Sequence, residues 1–315
     1  MSRIFSKVEL TINQIEDIVT PLNLSIKEGG KISDIGRVSS NYLLETDQGK
    51  TCLRFYPKDY ELAQIKREID ALRFFASQGL PVPLLIEKNA SPLPSFFEGY
   101  PYFIYWCLPG TSLEQEHLSK KWAYEAGKLL SSLLQVSHLY ASPDAAVNDY
   151  QLIEDAFREK RDVLKKALSK SVFSEMEEHL QHKKYEDVLR NSPKGLVHGD
   201  YFFENVLVEG DQMIGVIDFG DVYYGHPLTD CIIGAMEFSV LSDESVEMEY
   251  LKVFLTPLKR HLDAIEPEMF QHFLLLNCIR FLSYTIEDSE IHSSNSYLKR
   301  PEFKSEVRHF SLQSS

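Results

Sequence analysis

Residues 194–221 read KGLVHGDYFFENVLVEGDQMIGVIDFGD. The apolar runs GLV, NVLV and MIGVI read as short strands, and Glu209-Gly210-Asp211 is a turn between two of them. Between the strands stand His198, Asp200, Asn205 and Asp218. Asp200 and Asn205 are five apart, and Asp218 follows thirteen residues later. Asp200 falls in a loop straight after GLV, where a carboxylate can accept a hydroxyl proton or align the hydroxyl. Asn205 offers a neutral amide oxygen, a hard ligand suited to Mg²⁺. Asp218 supplies a carboxylate at the end of MIGVI. Gly199 and Gly220 permit backbone shapes that a β-carbon hinders. Phosphoryl transfer asks for this set: oxygen ligands for a metal that bridges phosphates, and a group that orients the attacking hydroxyl.

HGD or DFG alone is weak evidence, each being three residues long. Here H-x-D-x-x-x-x-N, a hairpin and I-D-F-G follow one another, each in its expected context. The bland alternative makes Asp200 and Asp218 turn residues and has Asn205 cap a bend. The joint spacing favours chemistry.

Working outward, the 315 residues suffice for one large or two medium domains. Hydrophobic residues make up 43% and charged residues 25%, an ordinary globular balance with ample core. A net charge of −14 argues against nucleic acid or an anionic membrane as partner. It permits a cationic small molecule, although acidity speaks first to solubility. Cys52, Cys107, Cys231 and Cys278 are scattered among apolar neighbours with no metal-ligand spacing, so buried reduced thiols are expected. The first ten residues lack a sustained apolar run, and no stretch approaches eighteen apolar residues, so a soluble cytoplasmic protein is expected.

Residues 8–20 have helical spacing, and residues 25–46 read as two strands around a glycine-containing turn. Asp47-Gln48-Gly49 is a hairpin signal before KTCLRFY, the strand that carries Arg54. Arg54 lies opposite Leu53 and Phe55 and is either solvent-facing or aimed at a ligand phosphate. Residues 59–78 form an amphipathic helix with Leu62, Ile65, Ile69, Leu72 and Phe75 as its apolar stripe, stopped by Gly79. Glu68 on this helix is, by itself, a solvated face residue. PLLIEK and YPYFIYWC read as strands, and Leu108-Pro109-Gly110 breaks the pattern. Helices are expected at 119–140, 149–169, 173–191, 227–241, 244–262 and 267–286, with a polar tail from Ser289. The boundary places a β-rich lobe at 1–107 and a larger α-rich lobe at 108–315.

The motifs in 195–221 resemble those of the aminoglycoside phosphotransferase and choline kinase group, small-molecule kinases with a protein-kinase-like fold; HGD in place of HRD is typical of them. The resemblance implies an α+β bilobal fold with a small β-rich N-lobe for nucleotide and a larger helical C-lobe for catalysis and acceptor. It implies Asp200 as catalytic base, and Asn205 and Asp218 as Mg²⁺ ligands beside ATP. REIDALRFFASQGLPVP is similar to the group's second-helix signature and makes Glu68 the partner of Arg54, where protein kinases have Lys. An Arg still grips phosphate through its fork of donors. The phosphate-covering loop would fall at Gly36–Asn41, including Ser40 and Asn41, without a GxGxxG. Tyr105–Leu108, including Trp106 and Leu108, would offer backbone groups to adenine. Asp230 would support the catalytic loop, as would His198.

IDFGDVYYGHPLTD, and NSYL at 295–298, are similar to hydroxylysine kinase and its relatives, with homoserine kinase of the same fold next. The expected acceptor is a small hydroxylated, amine-bearing metabolite. Asp221, Glu204 and Glu237 are candidates to face its ammonium group; the alternative is that Asp221 orders its own loop and both Glu residues are exposed. Monomer and homodimer both stay open. The competing functions are an aminoglycoside-type antibiotic kinase, a stress-response-type Ser/Thr protein kinase, and an ATP-binding regulatory pseudokinase.

Overall fold

The structure, a computed structural model, describes residues 8–33, 38–87, 93–142, 146–147, 149–183, 185–241, 246–262 and 265–285. The NSYL segment, the polar tail and the Gly36-Arg37 part of the expected phosphate loop lie outside the described residues. In chain order the elements begin with α1 (Ile12–Val19), β1 (Ile26–Ser33), β2 (Ser40–Thr46), β3 (Gly49–Phe55), α2 (Leu62–Ser77), β4 (Leu84–Leu85), β5 (Ser95–Phe97) and β6 (Tyr100–Trp106). They continue with β7 (Thr111–Ser112), α3 (Lys120–Ser137), α4 (Asp149–Ala167), α5 (Lys170–His182), α6 (Glu186–Asn191), β8 (Gly195–Val197), β9 (Val206–Glu209), β10 (Gln212–Val216) and β11 (Tyr223–Gly225). The last are α7 (Leu228–Glu237), α8 (Met248–Leu255), α9 (Lys259–Leu262) and α10 (Pro267–Thr285).

The chain divides into two compact units, one of Met1–Gly110 with Ile214–Val222, the other of Thr111–Met213 with Tyr223–Ser315. The first is an antiparallel sheet in the order β1-β2-β3-β6-β4, with β5 also on β6. Thr46 and Gly49 are register partners at the β2–β3 hairpin, where Gly49 takes φ 140 beside the Trp106 ring. One face of the sheet packs on α1, burying Ile15, Ile18 and Val19 with Tyr42, Leu44, Leu53, Phe55 and Ile104. Each such side chain contributes about 1.5–3 kcal/mol of burial. Thr11 caps α1 in a reciprocal capping box with Gln14. Along α2 the buried positions are Ile65, Glu68, Ile69, Ala71, Leu72 and Phe75, so Glu68 lies on the inward stripe, not the solvated face. Residues 214–222 are tied into this unit by the Val216 N–H, which donates to the Pro81 carbonyl at 3.0 Å. Gly215 leaves no room there for a β-carbon, which would meet Leu108 and the Pro81 oxygen.

The second unit is mostly helical. Helix α3 is capped by Ser119 and lies so close to α8 that a β-carbon on Gly127 would strike the Phe254 carbonyl. All ten residues of α7 are buried, and α10 packs on α4, α5 and α7. Its small strands pair as β7 with β9 and β8 with β11, both antiparallel. The expected helix at 173–191 is two helices, because Lys183 takes a left-handed conformation after α5. The one at 244–262 is broken by a 3₁₀ turn over Thr256–Leu258, which carries Pro257. Cys52, Cys231 and Cys278 are buried thiols, whereas Cys107 is half-buried. Among the described residues no helix is long and apolar enough to cross a membrane.

Candidate active site

Strand β3 brings Arg54 between Asn41 on β2 and Phe103 on β6. Its side chain is 9% exposed, so the solvent-facing reading of Arg54 does not hold. Arg54 Nη2 donates to Asp218 Oδ1 at 2.9 Å, and Nε donates to the Tyr56 hydroxyl at 2.7 Å. That hydroxyl donates in turn to Glu68 Oε2, while Glu68 Oε1 lies 3.4 Å from Arg54 Nε. Tyr56 thus stands inside the Arg54–Glu68 pair. Tyr56 carries no motif in the sequence, although the period-2 rule puts residue 56 on the same side of the strand as residue 54.

Burial pushes the Glu68 carboxyl up to about 7, against the opposing pull of Arg54; Asp218 adds to the rise. Burial acts against the Arg54 charge, but Glu68, Tyr56 and Asp218 outweigh it and hold the guanidinium above its ordinary range. Burial also raises the Tyr56 phenol, with Arg54 opposing. The trio therefore keeps a fixed cation, and the phenol keeps its proton to donate.

Asp218 takes φ 60, a left-handed conformation that aspartate tolerates better than most residues, and its side chain is 34% exposed. Phe219 is buried against Phe75 of α2, ring centroids 5.6 Å apart. A β-carbon on Gly220 would come to 2.9 Å from Arg54 Nη2 and 3.2 Å from Asp218 Oδ1, so a larger residue there would press on the Arg54–Asp218 pair. Gln64, one helical turn before Glu68, donates from Nε2 to the carbonyls of Gly220 and Val222 at 2.7 and 3.1 Å. It too went unnoticed in the sequence, where a glutamine on a helix carries no signal. The Tyr60 phenol is raised to about 12, first by burial and then by Asp221 and Glu68.

In the second unit the HGD loop leaves β8 and is held from below by Asp230, in the first turn of α7. Asp230 accepts from the His198 N–H at 2.7 Å and the Gly199 N–H at 2.9 Å, one on each carboxylate oxygen. The His198 ring is buried, and its Nδ1 accepts from the Asp200 N–H at 3.3 Å. Asn205 closes the loop: Nδ2 donates to the Asp200 carbonyl at 2.8 Å and to Asp200 Oδ2 at 3.1 Å. With its nitrogen so used, the amide oxygen is the atom of Asn205 left to act as a hard ligand. Asp200 itself is half-buried. Downstream, His226 is lowered to about 4 by burial and the Lys194 charge, and its Nδ1 accepts from the Leu228 N–H.

The structure thus brings together Arg54, Glu68 and Asp218 in one unit, and Asp200 and Asn205 in the other. The other expected residues are placed differently. Ser40 is buried and its hydroxyl accepts from the Val8 N–H, so it acts inside the sheet. Asn41 is buried in register with Arg54. Trp106 and Leu108 are half-buried, Trp106 against the first core. Asp221 and Glu204 are exposed, whereas Glu237 is 3% exposed at the end of α7, which removes the alternative that both glutamates sit in solvent.

The sequence model of the phosphotransferase enzyme family matches residues 31–265, most of the chain. The chain belongs to this family. Homoserine kinase of Methylobacillus flagellatus is 24% identical over 70% of this chain and 66% of its own length. Homoserine kinase of Mesorhizobium japonicum is 27% identical over 62% of this chain and 61% of its own. The chain thus spans somewhat under two thirds of the length of these curated relatives. Among solved structures, amicoumacin kinase hAmiN in complex with AMP-PNP, Ca²⁺ and Ami superposes with a TM-score of 0.67 at 14% identity, covering 96% of this chain and 97% of that one. That likeness is one of fold: the chain has the kinase-like α+β fold, with a β-rich first unit and a larger helical second unit.

Proposed function

We propose that the protein transfers the γ-phosphoryl group of ATP to a hydroxyl of a small, amine-bearing metabolite. The observation that carries this reading is the loop from His198 to Asn205, in which one carboxylate, Asp200, is oriented by Asn205 while Asp230 fixes the backbone beneath it. Asp200 would align the acceptor hydroxyl and take its proton as the oxygen bonds to phosphorus and the bond from phosphorus to the leaving ADP oxygen breaks. The Asn205 amide oxygen and the Asp218 carboxylate are donors of the kind Mg²⁺ takes, and we assign the metal to them. Mg²⁺ supplies charge neutralisation of the phosphates. Arg54, kept cationic by its partners, is the group in the first unit suited to hold phosphate oxygens.

The nucleotide is assigned to the first unit and the acceptor to the second. The homoserine kinase relatives support a hydroxylated amino acid as acceptor. In the second unit Glu204, which is exposed, stays as a group to meet an ammonium, and Glu237 would do so from a buried position; Asp221, also exposed, is a candidate from the first unit.

An ADP-release screen over hydroxylated amino acids, hydroxylated amines and aminoglycosides, with Mg²⁺ present, tests the proposal. The expected result is turnover with one of the first two groups, lost at least about 100-fold in Asp200→Ala. Turnover that survives in Asp200→Ala refutes the assigned base. Turnover confined to aminoglycosides refutes the acceptor class.

A further inference from the structure

We infer that Gln64 is a positioning residue for Asp218: its amide clasps the backbone that follows Asp218 and thereby sets the direction of the carboxylate. The inference deepens the proposed function and rests on Asp218 as metal ligand.

Gln64 and Glu68 stand four apart on α2 and so face the same way. Both hydrogens of the Gln64 amide are used, one on the Gly220 carbonyl and one on the Val222 carbonyl. The carbonyl pair also fixes which way the amide points, since its oxygen would be repelled there. The two carbonyls belong to the middle residue and the C-cap of the 3₁₀ turn over Phe219–Asp221, which closes on itself where the Val222 N–H donates to the Phe219 carbonyl at 3.1 Å. Phe75, lower on the same helix, receives the Phe219 ring. Helix α2 thus grips this segment twice, by a ring and by an amide.

Immediately before the grip stands Asp218 in a left-handed conformation, which a residue with a side chain keeps only where its surroundings fix it. On the other side Arg54 holds Oδ1. Removing Gln64 frees the backbone half of that constraint and leaves the Arg54 contact intact. Gln64 is half-buried, so solvent exposure does not demand an amide here; the two carbonyls do.

Two variants of the full chain test this: Gln64→Leu, which keeps the bulk and removes both donors, and Gln64→Glu, which turns acceptors toward two carbonyls. The first readout is AMP-PNP affinity as Mg²⁺ is titrated, compared with the affinity in EDTA. The Mg²⁺ concentration for half-maximal tightening is expected to rise about tenfold in Gln64→Leu and further in Gln64→Glu, with EDTA affinity within about twofold of the parent. An unchanged Mg²⁺ midpoint overturns the inference, as does equal weakening with and without metal, which marks a merely structural role. The second readout needs no ligand: amide hydrogen exchange across 217–223 is expected to speed up in Gln64→Leu, and unchanged exchange overturns the clasp itself. If the parent protein shows no Mg²⁺-dependent AMP-PNP binding while exchange does speed up, the metal reading of Asp218 is what fails, and the positioning role falls with it.

Discussion

Tyr56→Phe removes one oxygen from the centre of the first unit. That oxygen accepts from Arg54 Nε at 2.7 Å and donates to Glu68, and all three side chains are buried. A hydrogen bond to a charged group contributes about 1.5–3 kcal/mol to stability. Two such bonds disappear together, but Glu68 Oε1 already lies 3.4 Å from Arg54 Nε and can recover part of the loss. The expected net cost is about 2–3 kcal/mol, since Glu68 Oε2 is left buried with its donor gone. In a chain of this size each kcal/mol moves Tm by about 2–4 °C, so a fall of about 4–12 °C follows. Urea denaturation gives the free energy and a thermal melt gives Tm. Tyr124→Phe serves as the control, because Tyr124 is 41% exposed. A loss below about 0.5 kcal/mol, the range of ordinary surface substitutions, would refute the claim that the phenol couples Arg54 to Glu68.

Two further outcomes follow from the same geometry. Glu68 holds its proton more tightly folded than unfolded, so its contribution is complete below its ordinary 4.5 and is lost as pH rises through about 7. Wild type should therefore lose up to about 3 kcal/mol relative to Glu68→Gln between those pH values, measured by urea denaturation at each; a difference that is flat with pH removes the raised carboxyl from the account. Asp230→Asn turns an amide nitrogen toward one of two backbone donors, at a cost of about 2–4 kcal/mol, and should lower kcat more than it weakens nucleotide binding. Equal effects on both would show that Asp230 serves stability alone.

The kinase-like fold was legible, and so were the loops that carry the three residues proposed for the chemistry, because each is a local fact. Asp200, Asn205 and Asp218 sit at fixed spacings in loops between short apolar runs, and a strand–loop–strand path leaves them little freedom. The long helices were legible for the same reason, as their apolar stripes repeat at 3.6 residues. Asp230 was expected to hold the catalytic loop, and its two carboxylate oxygens do accept from that loop.

What only the tertiary structure decided is who partners whom at long range. Glu68 looks like any charged helix residue until the sheet covers α2 and leaves it 2% exposed, and Glu237 is buried because every side of α7 is packed. Ser40 reads as a phosphate ligand until Val8 claims its hydroxyl. Tyr56 and Gln64 carry no motif, and their roles arise from groups 12 and 156 residues away in the chain. The opening stretch, Lys194–Asp221, even divides between units: Asp200 and Asn205 belong with the helices, while Asp218 belongs with Arg54 and the sheet. Spacing along a chain records the chemistry a segment can offer. Burial and hydrogen-bond partners depend on what folds over it, and so they appear only when the distant pieces meet.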